Sequence, residues 1–132
     1  MHTILLVEDS KFLRIATERA LTKAGYRVVL AGDGEEALAQ ANAHLPDLVI
    51  LDMLLSKLSG PEVLQALKKN VATAPIPVLV LSSLSQKNEE KLLSEGATAF
   101  LEKGPLLDNP SLLLHAIKNA LTKKAAASSR QP

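Results

Sequence analysis

Carboxylate, hydroxyl and ammonium side chains stand at the ends of four short apolar runs in this chain of 132 residues. They are Glu8, Asp9, Asp52, Ser82 and Lys103. Three carboxylates that lie together repel one another, and a divalent cation with oxygen ligands removes that repulsion. Mg²⁺ suits such a site because it keeps bound waters and takes one or two carboxylates together with a phosphoryl oxygen. A carboxylate can also act as a nucleophile toward phosphorus, so the residue types predict Mg²⁺-dependent phosphoryl transfer to Asp52.

Each of these residues has a commoner explanation when it is taken alone. An Asp after a strand usually caps a helix or a turn, and Ser82 is open to the same interpretation. Glu8 and Asp9 would favour the start of the next helix through the helix dipole. Lys103 alone would be a surface lysine. Only their coincidence at the ends of apolar runs favours a site.

The apolar runs alternate with longer segments whose apolar residues have helical spacing. Runs of about four apolar residues without polar alternation are typical of strands that are buried on both faces. Alternation of strand and helix predicts an α/β fold, a doubly wound (βα)5 three-layer sandwich of flavodoxin-like type with a parallel sheet in the order 2-1-3-4-5. In that order the candidate residues meet at one edge of the sheet. The five predicted strands are Ile4–Val7, Val28–Ala31, Leu48–Leu51, Val78–Leu81 and Ala99–Leu101.

Turn and capping residues agree with this alternation. Asp33 and Ser85 stand where they can cap the second and fourth helices, and Pro61 stands at the start of the third. Gly25 and Gly96 stand where helices should end.

Composition limits the class of protein. With 15 Lys and Arg against 14 Asp and Glu, and only three aromatic residues, we expect no nucleic-acid binding by this domain. The absence of Cys excludes disulfides, zinc–thiolate sites and a thiol nucleophile. No signal peptide and no membrane span are predicted, so the expected location is cytoplasmic. We predict one domain over residues 1–122 and a disordered tail or linker over residues 123–132.

Several motifs are weak singly but specific in their order and separation. They are Ile-Leu-Leu-Val-Glu-Asp-Ser at 4–10, Asp-Leu-Val-Ile-Leu-Asp-Met at 47–53, Gly60, Pro-Val-Leu-Val-Leu-Ser-Ser at 77–83 and Phe-Leu-Glu-Lys at 100–103. With them the chain resembles the receiver domains of two-component response regulators, in particular single-domain receivers like the chemotaxis regulators. The resemblance covers nearly the whole predicted domain.

The resemblance implies a role for each matching residue at the proposed metal site. Asp52 matches the phosphoacceptor, and Asp9 matches a direct Mg²⁺ ligand. Glu8 matches a ligand that acts through a metal-bound water, and it stands where many members have Asp. The backbone carbonyl of Leu54 matches the third protein ligand.

The resemblance also implies a switch. Ser82 matches a hydroxyl that moves toward the phosphoryl group, Lys103 matches the lysine of the site, and Phe100 matches an aromatic that turns inward when Ser82 moves. The surface of the fourth helix, fifth strand and fifth helix would then change shape and bind a downstream protein. The implied phosphodonor is a phosphohistidine on a sensor histidine kinase or a histidine phosphotransfer protein. A dimer that forms on phosphorylation is left open.

Some positions depart from the family pattern. Ser56 stands where Pro is usual, and the usual Lys-Pro pair is interrupted by Gly104, so a cis bond is open only before Pro105. Leu54 and Leu84 flank the path of a water that would attack the phosphoryl group, and neither side chain can orient water. We therefore expect slow self-dephosphorylation.

Three other functions compete with a phosphorylated switch. A pseudo-receiver, folded alike but used only to bind proteins, is disfavoured by the complete set of site residues. A phosphatase with an aspartyl intermediate would need an acid two residues after Asp52, where Leu54 stands. Nucleotide binding is disfavoured because the first strand–helix turn, Glu8-Asp9-Ser10, has no glycine. We expect a phosphoacceptor that assists its own phosphorylation, not an enzyme in the usual sense.

Overall fold

The computed structural model describes residues 1–82 and 89–129. Strands and helices alternate along the described chain, as the sequence predicts. The strands are β1 (Thr3–Val7), β2 (Arg27–Ala31), β3 (Leu48–Asp52), β4 (Val78–Ser82) and β5 (Ala99–Glu102). The helices are α1 (Lys11–Lys23), α2 (Gly34–His44), α3 (Gly60–Lys69), α4 (Glu89–Ser94), α5 (Lys103–Asp108) and α6 (Pro110–Ser129).

The strands form one parallel sheet in the order β2-β1-β3-β4-β5. This confirms the predicted fold class and strand order. In the register of the sheet, Asp52 pairs with Leu81 and Ser82 pairs with Glu102. The last residues of β3, β4 and β5 therefore lie side by side at the carboxyl edge of the sheet.

Two apolar clusters cover the two faces of the sheet, because successive residues of each strand point to opposite sides. Leu5 and Val7 of β1 face the cluster that contains residues of α2 and α3. Ile4 and Leu6 face the cluster that contains residues of α1 and α6. β1, β3 and β4 are buried on both faces, which explains why their sequences lack polar alternation.

Helix α1 is attached to the core less completely than the other long helices. Leu21, near its C-terminal end, is its buried residue, and the rest of the helix is partly or fully exposed. Ser10 caps its N-terminus by accepting a hydrogen bond from the Leu13 amide at 3.4 Å. The first turns of α1, which follow the Glu8–Asp9 segment, thus lie largely at the surface.

The predicted caps are confirmed where the structure describes them. The Asp33 side chain accepts a hydrogen bond from the Glu36 amide at 2.8 Å. Gly25 and Gly96 have φ values of +98° and +113°, in the left-handed region that favours glycine. The cap predicted at Ser85 lies outside the described residues.

Helix α3 begins with a capping box that the sequence analysis missed. The Ser59 side chain accepts from the Glu62 amide at 3.3 Å, and the Glu62 carboxylate accepts from the Ser59 amide at 3.2 Å. Pro61 is the second residue of the helix, where a backbone amide would have no acceptor within the helix and its absence costs nothing.

The region after β5 differs from the prediction of a single last helix. A short helix, α5, precedes α6, and α6 continues to Ser129, past the predicted domain end at residue 122. The boundary at residue 122 stays a prediction. The described chain contains no cis peptide bond, so the bond before Pro105 is trans. None of the described helices is both long and apolar enough to cross a bilayer.

We predict that Gly60→Ala strongly destabilises the protein. A Cβ atom on Gly60 would lie 2.6 Å from the Cα atom of Met53 and 2.7 Å from the carbonyl oxygen of Asp52. Because the neighbours are backbone atoms, relief requires α3 to move away from the end of β3. We expect the free energy of unfolding in urea to fall by about 2–4 kcal/mol.

Gly104→Ala is the matched control, since a Cβ on Gly104 has no atom within 4 Å. Its free energy of unfolding should stay within about 0.5 kcal/mol of wild type. Equal stability of the two variants would contradict the proposed backbone contact at Gly60.

Candidate functional site

The carboxyl edge of the sheet brings the predicted site residues together. Glu8 and Asp9 follow β1, Asp52 ends β3, and Ser82 ends β4. Lys103, predicted to follow β5, is the first residue of α5. Glu8, Asp52 and Ser82 are buried, with 4%, 2% and 2% of their surface exposed, whereas Asp9 is exposed.

Lys103 joins two of the carboxylates. Its Nζ lies 2.9 Å from Oε1 of Glu8 and 2.8 Å from Oδ2 of Asp52. All three side chains are largely removed from solvent, so these charge-assisted hydrogen bonds are weakly screened. Lys103 therefore links the ends of β1 and β3 to the segment that follows β5.

Backbone amides hold the remaining oxygens of the same carboxylates. The Ser10 amide donates to Oε2 of Glu8 at 3.2 Å, and the Leu54 amide donates to Oδ1 of Asp52 at 3.2 Å. Both oxygens of each carboxylate are thus hydrogen-bonded. This arrangement fixes the directions in which Glu8 and Asp52 present their charge.

The pKa values of Glu8 and Lys103 are both raised. Burial is the main cause for Glu8, and the neighbouring Asp52 raises its pKa further, although Lys103 opposes both effects. Burial alone would lower the pKa of Lys103, but its hydrogen bonds and charge interactions with Asp52 and Glu8 raise it overall. The lysine therefore stays protonated at neutral pH, and its one positive charge faces the two buried carboxyl groups of Glu8 and Asp52.

The donor set fits a hard divalent cation. Glu8, Asp9 and Asp52 each offer a carboxylate oxygen, and these atoms lie within 4.8 Å of one another. Oxygen donors, excess negative charge and an exposed side on which waters can remain are the features that Mg²⁺ requires. The Leu54 amide contact brings residue 54 beside Asp52, while the role of its carbonyl as a ligand stays a prediction.

The two predicted switch residues lie on neighbouring strands. Phe100 of β5 is 7% exposed, and it belongs to the apolar cluster on the side of α2 and α3. Its ring is therefore buried in this structure, and Ser82 at the end of the neighbouring strand is buried as well. Leu54, whose amide contacts Asp52, is 56% exposed, and its place beside the path of an attacking water stays a prediction. Leu84 lies outside the described residues.

Sequence reasoning missed two contributors to the site. Ser10 supplies an amide to Glu8, and Arg14 donates a hydrogen bond from Nη1 to the backbone carbonyl of Glu8 at 2.9 Å. The sequence does mark Ser10 as a candidate helix cap, because a Ser often stands directly before a helix. Contact between Arg14 and a backbone oxygen depends on how α1 leaves the sheet, and no residue pattern reveals it.

Most of this chain aligns in sequence with parts of longer curated proteins. The gliding motility regulatory protein of Myxococcus xanthus is 45% identical over 105 residues, which are 78% of this chain and 13% of that protein. The alkaline phosphatase synthesis transcriptional regulatory protein PhoP of Bacillus subtilis is 36% identical over 101 residues, 76% of this chain and 41% of that protein. The chain thus spans less than half the length of either relative.

Solved structures show the same fold over nearly their whole length. A putative response regulator from Chloroflexus aurantiacus superposes with a TM-score of 0.84 at 32% identity, covering 92% of this chain and 98% of the other. The chemotaxis protein CheY4 of Vibrio cholerae has a TM-score of 0.83 at 30% identity, covering 91% and 98%. The model of the response regulator receiver domain family matches residues 4–118. A match over most of the chain shows that this protein belongs to the response regulator receiver domain family.

Proposed function

We propose that this domain is a phosphorylation-activated switch in a two-component or phosphorelay system, with Asp52 as the phosphoacceptor. The observation that carries the proposal is the buried pairing of Asp52 and Glu8 with Lys103 at the carboxyl edge of the sheet. In the proposed reaction a carboxylate oxygen of Asp52 forms a bond to phosphorus. The P–N bond of a phosphohistidine breaks, and the bonding pair leaves with the imidazole nitrogen.

The residues of the chain would divide the work by position. Lys103 holds one oxygen of Asp52 before the reaction and offers its charge to a phosphoryl oxygen afterwards. The Leu54 amide holds the other oxygen of Asp52, which limits rotation of the carboxylate. Ser82, buried on the adjacent strand, offers a hydroxyl to a phosphoryl oxygen. Positioning and charge neutralisation of this kind are the main requirements of phosphoryl transfer.

Asp9, Asp52 and the carbonyl of Leu54 would hold Mg²⁺, with Glu8 acting through a metal-bound water. When bound there, Mg²⁺ would neutralise charge on the transferring phosphoryl group. Because Glu8 has a raised pKa, its protonation in mild acid would weaken the site. The carboxylates of the chain thus supply both the metal site and the nucleophile.

The switch is proposed to work by a shift of population. Phosphorylation of Asp52 would draw Ser82 toward the phosphoryl group and favour burial of Phe100. Since Phe100 is already buried in this structure, the conformation with the ring inside is proposed to be populated before phosphorylation. Phosphorylation then has to stabilise that conformation rather than create it.

The proposed partners follow from the family. A sensor histidine kinase or a histidine phosphotransfer protein is the proposed phosphodonor, and with it the proposed location is the cytoplasm. The proposed output surface consists of α4, β5 and α6, where α6 is the last of the five helices that the sequence predicts. A downstream protein or a second phosphorylated copy of this chain would bind there. Uptake of a phosphoryl group distinguishes this switch from a pseudo-receiver, which would bind proteins without being phosphorylated.

We predict that the intact protein takes up one phosphoryl group from a small acyl phosphate in the presence of Mg²⁺. Uptake should be lost in Asp52→Asn and when the metal is chelated, because the nucleophile or its charge neutralisation is removed. Intact-protein mass spectrometry measures the added group.

Asp33→Asn is the matched control for this uptake, since Asp33 caps α2 and forms its ion pair with Lys57 rather than with a site residue, and Asn also caps helices. It should be phosphorylated like wild type. Failure of wild-type protein to accept a phosphoryl group from either an acyl phosphate or a phosphohistidine donor would favour the pseudo-receiver.

We predict that Lys103→Met lowers the free energy of unfolding by about 3 kcal/mol at pH 7 without Mg²⁺, because two buried carboxylates lose their counter-charge. The deficit should shrink at pH 5. Glu8 has a raised pKa in the folded state, so protonation stabilises the fold as pH falls through that pKa toward its ordinary value of 4.5. The raised pKa of Lys103 adds stability that is lost only as pH rises above about 10.5, so it contributes no slope between pH 5 and 7.

Urea unfolding with and without Mg²⁺ tests this prediction. Mg²⁺ should stabilise Lys103→Met more than wild type, because the ion replaces the missing cation. Lys57→Met is the control, since Lys57 is exposed and lies 3.7 Å from Asp33. A stability of Lys103→Met that is insensitive to both pH and Mg²⁺ would argue against the electrostatic role.

We predict that Leu54→Asn shortens the lifetime of the phosphorylated protein. An amide at this exposed position can orient the water that attacks phosphorus, whereas the leucine cannot. One well-placed hydrogen bond is worth about a tenfold change in rate. After the donor is removed, Leu54→Asn should lose its phosphoryl group about tenfold faster than wild type or the apolar control Leu54→Met, as followed by intact-protein mass spectrometry. Identical decay for all three proteins would refute the prediction.

A further inference from the structure

The guanidinium of Arg14 reaches back from α1 to the loop that precedes the helix. Its Nη1 donates to the backbone carbonyl of Glu8 at 2.9 Å, and the side chain is half-buried. A Cβ on Gly32 would lie 3.0 Å from the same nitrogen, so the guanidinium packs closely over the backbone there. Arg14 is therefore enclosed between the loops that follow β1 and β2.

The carbonyl that Arg14 binds belongs to the peptide unit that joins Glu8 to Asp9. Glu8 itself is held independently, by Lys103 and Ser10 at its carboxylate and by its amide, which donates to the Ala31 carbonyl at 3.1 Å. Asp9 differs, because within the described residues no hydrogen bond or ion pair holds its exposed carboxylate. The direction of the Asp9 side chain thus depends on the orientation of this peptide.

We infer that Arg14 is a positioning residue for the metal site. By fixing the carbonyl between Glu8 and Asp9, it holds the backbone of Asp9 where the carboxylate can join those of Glu8 and Asp52. The inference rests on the proposed function, since it concerns Mg²⁺ binding. In this role Arg14 contacts neither the metal nor the phosphoryl group.

Charge and position predict opposite effects when Arg14 is removed. A guanidinium close to a cation site repels the cation, so charge alone predicts that Mg²⁺ binds more tightly to Arg14→Ala. Loss of the hydrogen bond frees the peptide, so positioning predicts weaker binding. The sign of the change in affinity therefore separates the two effects.

Titration with Mg²⁺ alone, followed by amide NMR shifts at pH 7, provides the test. We expect the dissociation constant for Mg²⁺ to rise about fivefold in Arg14→Ala, which is less than the loss of a charged hydrogen bond alone would give, because removal of the positive charge acts in the opposite direction. Arg14→Lys, which keeps the charge and can still donate, should fall between wild type and Arg14→Ala. Arg19→Ala, on the exposed surface of the same helix, removes the same charge and should not weaken binding.

A second variant keeps the inference testable if Arg14→Ala folds poorly. Gly32→Ala crowds the guanidinium but meets only the far end of a flexible side chain, so it leaves the backbone in place. It should also raise the dissociation constant for Mg²⁺, by a smaller factor.

A purely structural role of Arg14 would instead lower the urea midpoint of Arg14→Ala without changing its affinity for Mg²⁺.

The possible results are separable. Unchanged or tighter Mg²⁺ binding by Arg14→Ala, with normal binding by wild type, would overturn the role of Arg14 and leave the proposed function intact. A wild-type protein without Mg²⁺-dependent shifts would overturn the metal site and the role of Arg14 together.

Discussion

The site depends on one buried interaction, the contact of Lys103 with the carboxylates of Glu8 and Asp52. Two negative groups can remain at the end of an apolar sheet only because a positive group lies within hydrogen-bond distance of both. One cation for two carboxylates, with a third at Asp9, leaves the site short of positive charge. That deficit, rather than the net charge of the chain, makes the acidic cluster of Glu8, Asp9 and Asp52 compatible with a divalent cation.

The order of the sheet determines that these groups meet. Glu8, Asp52 and Lys103 are far apart in sequence, but β1, β3, β4 and β5 are consecutive neighbours. Packing at the end of β3 then limits how the backbone of Asp52 can move, because Gly60 at the start of α3 lies directly against Asp52 and Met53. The same close packing that stabilises the fold therefore holds the backbone of Asp52 in place.

Much of this arrangement is predictable from the sequence, for identifiable reasons. Strands buried on both faces lack polar alternation, and a five-fold alternation with helices permits few topologies, so the edge that collects Asp52 and Lys103 follows. The capping box at Ser59, the short helix α5 and the contact of Arg14 were missed. The capping box was overlooked because Pro61, two residues later, already indicates the start of the helix. Helix α5 and the Arg14 contact depend on tertiary packing that residue spacing does not encode. The burial of Phe100 is likewise a property of packing.

The loose attachment of α1 has a consequence for local stability. With Leu21 as its buried residue, the helix is held to the sheet near its C-terminal end, while Arg14 stands near its start. The first turns can therefore open without unfolding the sheet, and their amides should exchange hydrogen with solvent faster than those of β1. Each opening would also release the peptide before Asp9. The free energy of this partial unfolding, smaller than that of the whole domain, would then limit how firmly the acidic site is ordered.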